Sequence, residues 1–186
     1  MEPFVVRTER LVLDQPTASD VDDIATYCAD PLFEHFMTTP WPYERKHAVS
    51  FVEEYAPGGW ERGDEWTWAI RESSGGPLLG VVGIRLGTGS IGYWLGAPHR
   101  GRGIMSEAVA AVVTAVFERT ERDLVRWECV VGNTASARVA QKAGFRYAGA
   151  EPGMILSRDG SSADSWHAVL RRTDDREPKP GWPIAF

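Results

Sequence analysis

Apolar and polar positions along the 186-residue chain fall into blocks of changing period. Residues 4–16, FVVRTERLVLDQP, are apolar at both ends with a polar break at Thr8–Arg10, which predicts one or two extended segments. Thr17 and Asp20 then stand at capping-box spacing. Val21, Ile24, Ala25 and Cys28 share one face of a helix predicted over 17–30, and Pro31 follows its end. Residues 35–43, HFMTTPWPY, set prolines among aromatics and predict a loop. A second helix is expected over 44–56, stopped by Pro57-Gly58-Gly59.

Alternation returns at 65–72, and 78–86 and 91–96 predict two further strands joined as a hairpin by a Gly-Thr-Gly-Ser turn. The clearest helix runs over 104–120. Met105, Ala108, Val109, Val112, Val116 and Phe117 share its face, while Glu107, Thr114, Glu118 and Glu121 point away. A strand over 123–131, a short helix over 133–144 stopped by Gly144, and strands over 145–151 and 164–172 complete the pattern. The order βααββββαβαββ implies an α/β fold, with a mixed sheet of about six to seven strands and helices on both faces. No repeat or linker interrupts it. One domain is expected over 1–172, followed by a proline-rich, irregular tail over 173–186.

Composition narrows the classes of function. A net charge of -6 argues against a nucleic-acid binder. No apolar run approaches the length of a membrane span, and the N-terminus lacks a basic-then-apolar signal pattern. Cys28 and Cys129 imply no disulfide framework, so a cytoplasmic setting is expected. The four histidines are scattered without ligand spacing, and no metal is expected.

The informative stretch is 92–108, GYWLGAPHRGRGIMSEA. A strand ends in a loop with two arginines and two glycines, and a helix starts at once. Unpaired N–H groups at a helix start, glycines that admit close approach, and the forked cations of Arg100 and Arg102 together suit a pyrophosphate. The loop lacks the third glycine of a dinucleotide fingerprint and the lysine of a Walker loop.

This loop resembles the R/Q-x-x-G-x-G/A loop of the GNAT superfamily of N-acetyltransferases, with Met105 where glycine or alanine is usual. GYWLGAPHRGRG and NTASARVAQKAGFRYAG resemble the ribosomal-protein (RimJ/RimL) branch, as do DPLFEHFMTTPWPY and DGSSADSWHAVL. The similarity runs from about residue 7 to 172. It implies a GNAT fold, acetyl-CoA as co-substrate, and direct transfer of an acetyl group to a primary amine in a ternary complex. The amine would be a peptide N-terminus or a small molecule.

The resemblance also assigns residues. Arg100, Gly101, Arg102, Gly103, Ile104, Met105 and Ser106 would wrap the pyrophosphate. Trp94, Leu95 and Gly96 would line the split that takes the pantetheine arm, with the Leu95 N–H as oxyanion donor. Asn133 would contact the pantetheine amide, although an asparagine before a helix is also a good cap. Ser136 would assist the leaving thiolate, since the tyrosine that many relatives place seven residues after the asparagine is here Ala140. Glu128, facing opposite to Trp127 and Cys129, is the candidate base, either in a wet cleft or paired with Arg126 or Arg146, and Glu151 is a second candidate. His35, Trp41 and Tyr43 fall in the acceptor region, with Phe36, Met37, Trp60 and Glu34 nearby. Aromatics and acids there suit a cationic amine. A homodimer is one arrangement compatible with the aromatic-rich chain. A coenzyme A-binding sensor without catalysis is the alternative from another class.

Overall fold

The computed structural model describes residues 2–184. Eight strands form one mixed sheet in the order β1-β2-β3-β4-β5-β6-β8-β7. The N-terminal half is an antiparallel run: β1 (Val6–Arg7), β2 (Val12–Asp14), β3 (Glu65–Arg71), β4 (Gly80–Arg85) and β5 (Ser90–Leu95). The C-terminal half is β6 (Leu124–Val130), β7 (Arg146–Leu156) and β8 (Ser162–Arg171), also antiparallel. The halves meet at β5 and β6, which run parallel and pair only through Ser90↔Arg126 and Ile91↔Trp127. Two short strands precede the helices and three follow them before α5.

Helices cover both faces. On one face α5 (Ile104–Arg119) and α6 (Thr134–Lys142) pack over the main core, and every residue of the predicted α5 stripe is buried. On the other, α1 (Val21–Cys28), α2 (Pro31–Phe36) and α3 (Arg45–Ser50) enclose a second core with Ala69, Leu78 and Val81. At the end of β3, Trp60, Trp66 and Trp68 pack with Phe4 at centroid distances of 5.1–6.1 Å. Trp60 is 1% exposed, which removes it from the acceptor region.

Proline placement misled the sequence reading twice. Pro31 does not merely follow a helix but opens α2, where its missing N–H is harmless and Asp30 caps by accepting from Leu32 N. The predicted loop therefore starts at Met37. The second helix does not stop at Pro57. A π-turn over Phe51–Tyr55 widens the coil, and α4 (Ala56–Arg62) continues through Pro57, Gly58 and Gly59 to left-handed Gly63.

The carboxylates of Asp14 and Asp20 hold the guanidinium of Arg71, which is 3% exposed. Asp20 takes it bidentately at 2.7 Å, tying the start of α1 to the end of β3. Burial pushes the Asp20 carboxyl up, but Arg71 and the Thr17 N–H outweigh it and hold it below the usual range. The segment after β8 is irregular and wraps α6. Gln141 donates to the Lys179 carbonyl, and Trp182 is 8% exposed against Trp127 and Tyr147. Residues 185 and 186 of the predicted tail lie outside the described residues.

Candidate active site

Beyond Ile91↔Trp127 the sheet splits. The Gly96 N–H donates to Leu79 O, so antiparallel alternation turns the N–H groups of Tyr93 and Leu95 away from β4 and into the gap. On the opposite strand, Val131 N pairs with Asp164 O, so Val130 faces the gap in turn. A slot edged by free main-chain donors fits an extended amide-bearing arm such as pantetheine. Leu95 lies at its edge as expected, and its carbonyl accepts from Arg100 Nε at 3.2 Å.

The basic loop follows. Gly101 and Gly103 have φ of 77° and 75°, left-handed values that side chains disfavour. They turn the chain so that the first N–H groups of α5 face outward from Ile104, Met105 and Ser106. The loop is braced from behind. Tyr27 Oη bonds His99 Nε2 at 2.9 Å, Arg10 Nη1 donates to the Arg102 carbonyl, and Gly96 lies under the Tyr27 ring. The two arginines differ in placement. Arg100 is half-buried, turned inward onto Asp30 at 2.8 Å. Arg102 is exposed, and among the described residues only the surface carboxylate of Glu72 holds its side chain.

Asn133 caps α6 by accepting from Ser136 N at 3.1 Å, while its amide nitrogen has no partner among the described residues. Ser136 sits in the first turn of α6, above the vertex of the split. Its hydroxyl contacts a side chain from each lip: Tyr93 Oη on β5 at 3.2 Å and Trp127 Nε1 on β6 at 3.3 Å. Burial pushes the Tyr93 phenol up, against the Ser136 hydrogen bond, and keeps it neutral. Burial likewise pushes Cys129 up to about 12, so it is an inert thiol near neutrality.

Other expected residues lie on the far face. Trp94 packs edge-on to Phe33 at 5.8 Å in the second core. Glu128 does face opposite to Trp127 and Cys129, but it pairs with neither expected arginine. Arg146 pairs with Asp174, and Glu128 Oε1 accepts from Ile155 N at 3.0 Å. The cause is a register shift in β7 between Pro152 and Leu156, which lays backbone over the carboxylate. A Cβ on Gly153 would meet Glu128 Oε1 at 2.0 Å. Glu151 is exposed on the edge strand, and its carbonyl contacts His167 Nε2.

Trp41 and Tyr43 pack half-buried against the second core, with the Tyr43 hydroxyl turned to Cys28. His35 is exposed and edge-on to Phe36. Arg158, in the β7–β8 turn, reaches across to the carbonyls of Phe33, Glu34 and Thr39 and lies 5.9 Å from the Trp41 ring. The hairpin thus closes one side of the segment that carries His35, Trp41 and Tyr43. Sequence reasoning missed Tyr93, Trp127 and Arg158. Strand alternation did carry a signal for the first two, since it sets Tyr93 with Leu95 and Trp127 with Cys129.

The model of the acetyltransferase (GNAT) domain matches residues 10–146. The protein named "Probable N-acetyltransferase YjcK" from Bacillus subtilis is 35% identical over 112 residues, 57% of this chain and 59% of its own length. The ribosomal-protein-serine acetyltransferase of Escherichia coli is 37% identical over 73 residues, 37% of this chain and 41% of its own. Among solved structures, Mycobacterium smegmatis RimJ in complex with CoA-disulfide superposes with a TM-score of 0.77 at 19% identity, covering 91% of this chain and 88% of that one.

Proposed function

We propose that this chain, which belongs to the GNAT acetyltransferase family, transfers an acetyl group from acetyl-CoA to a primary amine. The observation that carries the reading is the split between β5 and β6, with the glycine-arginine loop and the start of α5 at its end. The slot and the loop stand in sequence along one path, as a pantetheine arm and its pyrophosphate do. When bound, acetyl-CoA supplies an activated thioester. Arg102, the N–H groups of Ile104, Met105 and Ser106, and the backbone of Gly101 and Gly103 would hold its pyrophosphate. Arg100 acts indirectly, pinning the loop to Asp30 and the end of β5. Leu95 N–H is the donor for the acetyl carbonyl oxygen, Asn133 offers its free amide to the arm, and Ser136 meets the departing sulfur.

The acceptor amine must arrive neutral. A peptide α-amine has a pKa of about 7.7–8 and a lysine about 10.4, so near neutral pH the first needs far less help. With one Glu128 oxygen already bonded to backbone, deprotonation falls to its other oxygen or to water. That favours an α-amine acceptor, bound between the α2–α3 segment with His35, Trp41 and Tyr43 and the β7–β8 hairpin. Similarity to the E. coli ribosomal-protein-serine acetyltransferase supports a protein acceptor. Both cysteines are free and buried, which suits a reducing cytoplasm. Among the described residues no helix is long and apolar enough to cross a membrane.

The test is thiol release from acetyl-CoA with free-N-terminus peptides, N-blocked lysine peptides, polyamines and aminoglycosides, beside a melting scan with acetyl-CoA. Stabilisation by acetyl-CoA and release with free-N-terminus peptides are expected. Release only with small amines overturns the acceptor class. Stabilisation without any release favours a coenzyme A-binding sensor.

A further inference from the structure

The protons around Ser136 can be assigned by counting. The Trp127 indole nitrogen can only donate, so Ser136 Oγ accepts from it at 3.3 Å. The Ser136 carbonyl can only accept, so the Tyr93 hydroxyl donates to it at 2.9 Å. The Ser136 proton is then left for the Tyr93 oxygen, 3.2 Å away, or for the Cys129 sulfur, which also takes a hydrogen bond from Ser136. It is the one proton of the three free to turn toward a sulfur in the split. When it turns, Trp127 still donates to Oγ and stabilises the charge that builds there.

The Trp127 ring has its own support. Trp182 packs on it at 5.4 Å and 61°, and leans on Tyr147 at 5.6 Å. Trp182 gets there because the C-terminal segment is tied down in stages. Arg146 pairs with Asp174, Asp174 accepts from Arg171 N, and Gln141 on α6 holds the Lys179 carbonyl. This segment lies beyond the residues that match the family model.

We propose that Trp127 is a positioning residue that aims and polarises the Ser136 hydroxyl, and that Trp182 of the C-terminal segment fixes the Trp127 ring. The proposal rests on the reading of Ser136 as the group that meets the leaving thiolate.

The test measures kcat, KM and acetyl-CoA dissociation constant for wild type, Trp127→Phe, Ser136→Ala and the double variant. Phenylalanine keeps an aromatic ring and removes the N–H. Trp127→Phe is expected to lower kcat about tenfold, the size of one lost hydrogen bond, with coenzyme binding unchanged. It should cost nothing further in the Ser136→Ala background, because a purely structural effect would add. Trp182→Ala should lower kcat in the same way, and Trp182→Phe should restore it. A Trp127→Phe enzyme within twofold of wild type, or one equally slowed with and without Ser136, overturns the positioning role. Wild-type kcat in Ser136→Ala alone would instead remove the reading of Ser136 on which it stands.

Discussion

At the scale of single residues, the site divides by face. Leu95, Asn133 and Ser136 gather at the split, and the resemblance to the GNAT family made that legible. Glu128 was legible only in its direction. Its partner, Ile155 N, depends on a register shift that no local pattern announces. The same holds for Trp182, whose contact with Trp127 spans the sequence between β6 and the terminus. Glu128→Gln separates structure from chemistry, because the amide oxygen can still accept from Ile155 N. The melting temperature is therefore expected to stay within about 2 °C, since only charge changes at a half-buried surface. If the free carboxylate oxygen takes the amine proton, kcat falls about a hundredfold near neutrality and recovers at alkaline pH. A pH–rate profile identical to wild type would assign the proton to water.

At the scale of elements, β3 to β6 and the long α5 were read closely because each keeps one period throughout, whereas β7 runs on to Leu156, past its expected end at 151, across its register shift. Errors came where proline chemistry depends on its neighbours: Pro31 at a helix start, Pro57 behind a π-turn. The element junction with the largest electrostatic stake is Asp20–Arg71, where side chains are 4% and 3% exposed. The folded Asp20 carboxyl titrates below its ordinary value of 3.8. Its contribution is therefore full above about pH 4 and is lost as pH falls through the lowered folded value. Asp20→Asn is expected to cost about 3 kcal/mol at neutral pH, since it leaves a buried guanidinium short of charge. Urea unfolding across pH 2–7 should show the variant losing less on acidification than wild type. Parallel acid limbs would place the pH sensitivity elsewhere.

At the scale of the molecule, eight hydrogen-bonded strands give the appearance of one continuous sheet, yet its midline is crossed by only two residue pairs. The sheet is two antiparallel plates joined across a short parallel seam, with α5 and α6 packed over one side. A ligand lying in the slot would bond both lips and act as a splint. Amide deuterium exchange reads this directly. Without ligand, the N–H groups of Tyr93, Leu95 and Val130 should exchange orders of magnitude faster than those of β3 and β4. Saturating coenzyme A should slow the slot amides and the flanking rows of both plates together. Protection confined to the glycine-arginine loop would mean that the plates do not need the splint. If they do, the substrate is also part of the scaffold, and the enzyme is stiffest when it is about to react.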